Sequence, residues 1–108
     1  MVGKYKVITL CRSTRFKDEF LQVQKQLTLE GNIVISVELL GHADGEFGEV
    51  ITSEIKLMLD DIHKRKIDMS DKIYVINKNG YIGESTKSEI GYAIKTGKGV
   101  NYLEYHNA

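Results

Sequence analysis

Two kinds of apolar pattern alternate along the chain. In the first kind, β-branched and aromatic residues stand close together in short runs, as in strands buried on both faces of a sheet. These runs are residues 5–11, 32–37, 71–77 and 100–104. In the second kind, apolar residues recur every three or four positions, which is the period of one helix face. This period holds for residues 16–27, 49–68 and 85–96, whereas residues 39–48 fit neither pattern and are predicted to be a loop.

Each helical stretch has a recognisable end or apolar face. Ser13 or Thr14 is a suitable N-terminal cap for the first helix, and Gly31 is a suitable stop. Gly97 and Gly99 end the third helix in the same way. The side chains that we expect to face the core are Phe16, Phe20, Val23 and Leu27 in the first helix; Ile51, Ile55, Met58 and Ile62 in the second; and Ile90, Ala93 and Ile94 in the third.

The alternation predicts a single α/β domain over residues 1–108. Strands that alternate with helices form parallel sheets through right-handed crossovers, with helices on both faces. We expect a four-stranded sheet in the order 2-1-3-4, the three-layer arrangement of flavodoxin-like and Rossmann-like domains. In such a sheet, ligands bind beyond the carboxyl ends of the strands, where the strand order reverses. The loops at that point, residues 11–15 and 77–89, are therefore the expected ligand site.

Charge, cysteine content and hydropathy bear on which kinds of partner and which compartment suit the chain. Fifteen basic and fifteen acidic residues give a formal net charge of +0, which does not favour binding to a nucleic acid polymer. Cys11 is the one cysteine and has no partner for an internal disulfide, so a reducing, cytoplasmic compartment suits the chain. No stretch approaches the roughly 20 apolar residues of a membrane helix, so no membrane contact is expected. The expected partner is therefore a small molecule.

The first candidate loop, Cys11-Arg12-Ser13-Thr14-Arg15, joins the first strand to the first helix. Backbone N–H groups at a helix N-terminus carry a partial positive charge, and together with hydroxyl and guanidinium groups they bind phosphate or another anion. An ordinary helix cap with solvated arginines explains the same residues. The glycine frameworks of the Walker and dinucleotide-binding motifs are missing. An anion site and a plain cap therefore both stay open.

The second candidate loop holds the largest number of functional residue types. Asn77, Gly83 and Ser85 lie between the third strand and the third helix, and Glu89 follows about one turn into that helix. From there Glu89 can point over the ends of the strands. The spacing Thr86-x-x-Glu89 also fits a capping box, in which the glutamate only binds the N–H of the cap residue. From the spacing alone, we favour the capping box over a functional carboxylate.

The second helix carries a carboxylate and an imidazole on one face. Asp60 and His63 are three residues apart, away from the expected core stripe, and together they can supply an acid. Three basic residues, 64–66, follow directly, so a charged and solvated helix end explains the pattern as well. Cys11 with His63 has the residue types of a thiol nucleophile, but a strand-end cysteine is usually just buried. No metal-ligand spacing is present.

Three segments of the chain resemble the nucleoside 2-deoxyribosyltransferase-like superfamily. The most specific is Gly80-Tyr81-Ile82-Gly83-Glu84-Ser85-Thr86, with Glu89-Ile90-Gly91-Tyr92-Ala93 after it. The first loop, residues 10–16, and the approach to the third strand, residues 63–71, are also similar. This superfamily contains transferases, deoxynucleotide N-glycosidases and many short bacterial and phage proteins, and the chain is most similar to the short members.

The resemblance implies cleavage or transfer at the N-glycosidic bond of a (deoxy)nucleoside or nucleoside monophosphate. Glu89 matches the nucleophile of the enzymes, with Gly91 and Ala93 in the matching places. His63 stands where many enzymes have an aspartate that assists the leaving base, and Asp60 is the alternative acid. No cofactor is implied. The substrate-binding residues that we expect are Cys11, Ser13, Thr14, Arg15, Asn77, Gly83 and Ser85.

The resemblance also implies a homodimer, because neighbouring subunits in this superfamily complete each other's sites. At two positions the chain departs from the enzymes. Thr9 replaces a tyrosine that orients the glutamate in some members, and Arg12 replaces a glycine of the first loop. A nucleotide-binding or sensor module of the same fold, without catalysis, is therefore the alternative to an enzyme.

Overall fold

The computed structural model describes residues 3–11, 16–37 and 52–104, and in these ranges strands and helices alternate as the apolar pattern predicts. The strands are β1 (Lys6–Cys11), β2 (Asn32–Ser36), β3 (Lys72–Val75) and β4 (Gly99–Tyr102). The helices are α1 (Lys17–Leu29), α2 (Ser53–Asp68) and α3 (Glu84–Lys95), with a short 3₁₀ turn at Lys78–Gly80. The predicted loop at residues 39–48 lies outside the described residues.

The sheet confirms the predicted topology. Its four strands are all parallel and stand in the order β2-β1-β3-β4. β1 is paired along its length with β2 and, from Ile8 to Cys11, with β3. The last pair of that register joins Cys11 to Val75, so the ends of the two central strands meet at the same edge of the sheet.

The side chains of β1 alternate between two cores, which divides the domain into three layers. Ile8 and Leu10 face α1, whereas Cys11 faces the opposite side, beneath α2 and α3. The first core is Ile8, Leu10, Phe16, Phe20, Val23, Leu27 and Ile76, which confirms the predicted buried face of the first helix. The second core is Cys11, Val37, Ile67, Ile73, Val75 and Ala93.

The first helix starts later than its predicted cap. Its N-cap is Phe16 rather than Ser13 or Thr14, which lie outside the described residues. Phe16 is buried in the first core and packs edge-on against the ring of Tyr81, with the ring centroids 5.9 Å apart. The start of α1 is therefore fixed by aromatic packing instead of a hydroxyl cap. At the other end, Gly31 has a φ of 95° and ends α1 as predicted.

The predicted core face of the second helix is wrong. Ile55, Met58 and Ile62 are 39%, 54% and 40% exposed, and Ile51 lies outside the described residues. The buried residues of α2 are instead His63 and Ile67, on a different face of the helix. Despite these exposed apolar side chains, the described part of the chain contains no helix that is both long and apolar enough to span a membrane.

The third helix also turns polar side chains inward. Its buried residues are Thr86, Glu89 and Ala93, while Ile94, predicted to face the core, is 65% exposed. Ala93 agrees with the prediction, and Ile90 is half-buried against the second core. α2 and α3 therefore meet the sheet through a mixed surface, apolar toward their C-terminal ends and polar nearer their N-terminal ends.

Asn77 connects the carboxyl end of β3 to the carboxyl end of β4. Its side-chain amide donates to the carbonyl of Glu104 at 3.2 Å and accepts from the N–H of Glu104 at 2.9 Å. The side chain thus continues the hydrogen-bonding pattern between β3 and β4 beyond the last strand residues. Asn77 is completely buried, whereas Glu104 is exposed, so the two bonds lie at the border between the core and the surface.

We expect Asn77→Ala to destabilise the fold by about 2 kcal/mol, because it removes both hydrogen bonds between this side chain and the backbone of Glu104. Urea denaturation measures this free energy of unfolding. The matched control is Asn101→Ala, which truncates an exposed asparagine of β4 and should change it by less than about 0.5 kcal/mol. Equal losses in both variants would contradict the structural role of Asn77.

Candidate active site

A cleft opens between α2 and α3 above the two central strands. α2 leads from β2 to β3 and therefore crosses β1, while α3 leads from β3 to β4 on the same face. The cleft has a volume of about 220 Å³. Its lining residues are Lys56, Asp60, His63 and Lys64 from α2, and Glu84, Ser85, Ser88 and Glu89 from α3. Of the two loops predicted to form the ligand site, residues 77–89 contribute to this cleft through its α3 part, residues 84–89.

Glu89 lies at the base of this cleft and is not part of a capping box. The N-cap of α3 is Gly83, so Thr86 is the third residue inside the helix and Glu89 the sixth. A capping box needs its first residue at the N-cap, and the capping prediction is therefore wrong. The spacing of Thr86 and Glu89 fits a capping box, but α3 has its N-cap three residues before Thr86. The carboxyl group, which is only 5% exposed, is thus not used to cap the helix.

Two side chains act on the Glu89 carboxylate, one from the sheet and one from α2. Nδ1 of His63 lies 3.6 Å from Oε2 of Glu89, and both side chains are almost fully buried. The Cys11 thiol, completely buried at the end of β1, is the sheet group whose presence alters the pKa of the same carboxyl. The carboxylate is therefore placed between the end of β1 and the middle of α2.

Burial is the largest influence on the pKa values of Glu89 and Cys11. It raises the pKa of Glu89 from its usual 4.5 to about 7. Smaller influences on the same pKa are a hydrogen bond with Cys11 and the charge of Lys66, which lower it, and the charge of Asp60, which raises it. Burial, together with the Glu89 charge and hydrogen bond, raises the pKa of the Cys11 thiol well above its ordinary value. Cys11 consequently stays a neutral thiol, which argues against the thiol-nucleophile interpretation. Glu89 can gain or lose a proton near neutral pH.

Four residues proposed from the sequence come together in this cleft: Asp60, His63, Ser85 and Glu89. Asp60 is exposed at the mouth, and His63 is buried at the base beside Glu89. The sequence also allowed these α2 residues to be a charged, solvated helix end. This description fits the exposed Asp60 but not the buried His63. A carboxylate, an imidazole and a second carboxylate thus share one concave surface, which suits acid–base or nucleophilic chemistry.

Other predicted site residues have different positions. The Asn77 amide is engaged by Glu104 and does not line the cleft. Gly83 is the N-cap of α3, and its carbonyl accepts the N–H of Lys87 at 2.9 Å. Cys11 is fully buried and is not among the residues that line the cleft. The residues of the first loop, Arg12, Ser13, Thr14 and Arg15, lie outside the described residues.

Thr9 is placed away from Glu89. Its hydroxyl bonds to the hydroxyl of Ser70 and to the carbonyl of Lys66, beneath the C-terminal end of α2. Of the two buried β1 residues on this face, Cys11 is the one that alters the pKa of the glutamate. The Thr9 hydroxyl is therefore held in a local hydrogen-bond network beneath α2.

Four further residues line the cleft but were not proposed as site residues from the sequence: Lys56, Lys64, Glu84 and Ser88. Their spacing carried a signal, because Lys56, Asp60 and Lys64 recur every fourth residue, and Ser85 and Ser88 are three apart. Each set therefore occupies one helix face. Within residues 3–11, 16–37 and 52–104, no three His, Cys, Asp or Glu side chains are arranged to hold a metal ion.

Comparison with known proteins adds no assignment to this geometry. No protein-family model matches the sequence, and a search of curated proteins found no significant match. The chemistry of the cleft residues is therefore the basis for the function proposed below.

We expect Glu89→Gln to stabilise the protein at pH 8 and to leave its stability unchanged near pH 4. The folded state holds the Glu89 proton more tightly than the unfolded state, because the folded pKa is about 7 against 4.5. This favourable contribution is complete below pH 4.5 and is lost as the pH rises through about 7. The difference at pH 8 is about 3 kcal/mol.

Urea denaturation at both pH values measures this difference. The matched control is Glu30→Gln, which changes an exposed glutamate at the end of α1 and should show no comparable pH dependence. If Glu89→Gln and the wild type have the same stability at pH 8, the carboxyl group does not pay a burial cost and the environment described here is wrong.

Proposed function

We propose that the chain cleaves or transfers the N-glycosidic bond of a (deoxy)nucleoside or nucleoside monophosphate, with Glu89 as the nucleophile. The observation that carries this proposal is a buried carboxylate that faces a cleft at the carboxyl edge of the sheet and plays no part in helix capping. The resemblance of residues 80–93 to the nucleoside 2-deoxyribosyltransferase-like superfamily supports the same residue.

The chemistry follows from charge. Breaking the bond between the sugar and the base builds positive charge at the anomeric carbon, as in glycoside hydrolysis. A Glu89 oxygen forms a bond to that carbon while the bonding electron pair leaves with the base nitrogen. His63 or Asp60 supplies the proton that makes the base a better leaving group. Water, or the nitrogen of a second base, then attacks the same carbon and releases the Glu89 carboxylate.

The size of the cleft fits one part of such a substrate. Sites that enclose a whole drug-sized ligand measure roughly 300–1,000 Å³, and this cleft measures about 220 Å³. The sugar ring therefore lies against Glu89, and the rest of the substrate extends toward Lys56 and Lys64 at the mouth. The departures from the superfamily at Thr9 and Arg12 favour the second candidate, a nucleotide-binding module without turnover.

We expect the wild type to release free base from at least one deoxynucleoside or deoxynucleoside monophosphate, measured by chromatography. Glu89→Gln should lower the turnover by roughly 10³-fold or more, because the amide cannot act as the nucleophile. For the wild type, kcat/KM should rise as the pH passes through about 7, where Glu89 becomes ionised. The matched control is Glu30→Gln, an exposed position on α1, which should retain full activity.

Unchanged turnover in Glu89→Gln would end the nucleophile assignment. A fluorinated slow substrate should also leave a sugar adduct on Glu89 that mass spectrometry detects. If the wild type turns over no substrate of the panel but gains thermal stability with nucleotides, the binding module is correct instead, since a ligand of the folded state raises the Tm. Neither turnover nor stabilisation would contradict both candidates.

We also infer a homodimer, which the resemblance implies and the exposed apolar stripe of α2 supports. Ile55, Met58 and Ile62 form this stripe on one flank of the helix. Light scattering at micromolar concentration should give twice the sequence mass, and Met58→Lys should shift it toward the monomer. Met69→Lys is the matched control, because Met69 is an exposed methionine outside the stripe. A monomeric wild type would contradict the inference.

A further inference from the structure

We propose that His63 is a positioning residue for Glu89: its imidazole, on the inner face of α2, holds the carboxylate at the floor of the cleft and does not supply the proton to the leaving base. The proposal rests on the proposed function, because it concerns how Glu89 is held for that reaction. Of the two proton donors named above, it leaves Asp60.

The contact between the two side chains is the first reason. Nδ1 of His63 lies 3.6 Å from Oε2 of Glu89, which is within the range of an ion pair, and each side chain is only 6% exposed. The two residues belong to different helices, so the contact joins α2 to α3 at the floor of the cleft. A buried carboxylate is costly without a polar or charged partner. The imidazole is placed to be that partner.

The attachment of α2 to the sheet is the second reason. Ile67, one turn after His63, is completely buried in the second core. The ammonium group of Lys66 donates to the carbonyl of Ser36, at the end of β2, at a distance of 2.8 Å. Both attachments lie within about one turn of His63, so the imidazole starts from a fixed point. A contact with it therefore restricts a glutamate side chain that otherwise has several rotatable bonds.

The direction of bond breaking is the third reason. Glu89 attacks one face of the anomeric carbon, and the base nitrogen leaves from the opposite face. Where a covalent sugar–enzyme intermediate forms, the nucleophile and the acid flank the bond at a separation of about 5–5.5 Å. Nδ1 of His63 is only 3.6 Å from the Glu89 carboxylate and therefore lies on the nucleophile's side. Asp60, in contrast, is exposed at the mouth, toward which the base extends.

The other charged and titratable groups around Glu89 come from three elements. The sheet contributes the Cys11 thiol, and α2 contributes the charges of Asp60 and Lys66, all of which alter the pKa of Glu89. A change at His63 leaves these groups in place, so the effect of the imidazole can be separated from theirs. The remaining ionisable residues that line the cleft are Lys56 and Lys64 from α2 and Glu84 from α3.

The first test needs no turnover and compares His63→Leu, His63→Asn and the wild type. In each protein, the carboxyl carbon of Glu89 is titrated by ¹³C NMR, with its signal assigned from Glu89→Gln. His63→Leu removes the polar partner and should raise the titration midpoint by about one pH unit. His63→Asn keeps an N–H donor near the place of Nδ1 and should recover about half of this shift or more.

The matched control is Ile67→Val, which trims the next buried side chain of α2 without changing a polar group. It should leave the Glu89 midpoint unchanged. An unchanged midpoint in His63→Leu, or equal shifts in His63→Leu and His63→Asn, would overturn the proposal. An equal shift in Ile67→Val would also overturn it, since the packing of α2 on the sheet would then explain the effect.

The second test uses the reaction to separate positioning from proton donation. His63→Leu should lower kcat by roughly 10²-fold, because the nucleophile is misplaced. His63→Asn still holds the carboxylate but has no acidic proton for the base, and it should restore kcat to within roughly tenfold of the wild type. Equal losses of kcat in the two variants would make His63 the proton donor and overturn the proposal.

A leaving group that needs no proton makes the same distinction. 4-Nitrophenyl 2-deoxyriboside, with or without a 5-phosphate to match the accepted nucleoside, releases a stable phenolate. On this substrate His63→Leu should lose the same factor in kcat as on the nucleoside, whereas Asp60→Asn should lose activity on the nucleoside only. A wild-type rate of His63→Leu on the phenolate substrate would overturn the proposal.

The titration separates this proposal from the function on which it rests. A wild type without turnover on any substrate refutes the proposed function, while the titration still decides whether His63 holds the carboxylate. Loss of turnover in Glu89→Gln with no effect of His63→Leu refutes only the positioning role of His63.

Discussion

One carboxylate buried between a strand and a helix governs how the second face of this domain is built. Glu89 extends from α3 into the space above the central strands, where water has little access. Such a group needs polar neighbours on every side that packs against it. The neighbours are the Cys11 thiol from the sheet and the His63 imidazole from α2. Both elements must therefore present a polar side chain at a position where an apolar one would otherwise stabilise the core.

The orientation of α2 is consistent with this requirement. Its most apolar stripe, Ile55, Met58 and Ile62, faces outward, while His63 and Ile67 face the sheet. A helix placed by apolar burial alone would turn the stripe inward. Contact between His63 and Glu89 explains the observed rotation, and the Ile67 side chain still anchors the C-terminal half of α2 in the second core. The exposed stripe is then available for the subunit contact proposed above.

The sequence was sufficient to predict the order of elements and the sheet. Strand and helix periods differ clearly, and the crossover rules leave few arrangements of parallel strands. The buried face of α1 was predicted correctly because the first core is entirely apolar. The face of α2 was not, and that of α3 was predicted only in part, because periodicity identifies the most apolar face of a helix but not the face that tertiary packing turns inward. Ile94 is exposed for this reason, while Glu89 on the same helix is buried.

The candidate site was partly predictable from the sequence, and the signal that could identify each residue was different. Asp60 and His63 were visible from helical spacing, since residues three apart share a face. The role of Glu89 depended on where α3 begins, and sequence-based boundaries are uncertain by more than the three residues that separate Gly83 from Thr86. The contact between His63 and Glu89 joins two different helices, so no local pattern contains it. A glutamine at position 89 would keep the shape without the cost of burying a charge. The burial of this carboxylate beside His63, with its pKa raised to about 7, is therefore the physical ground for the proposed role of Glu89.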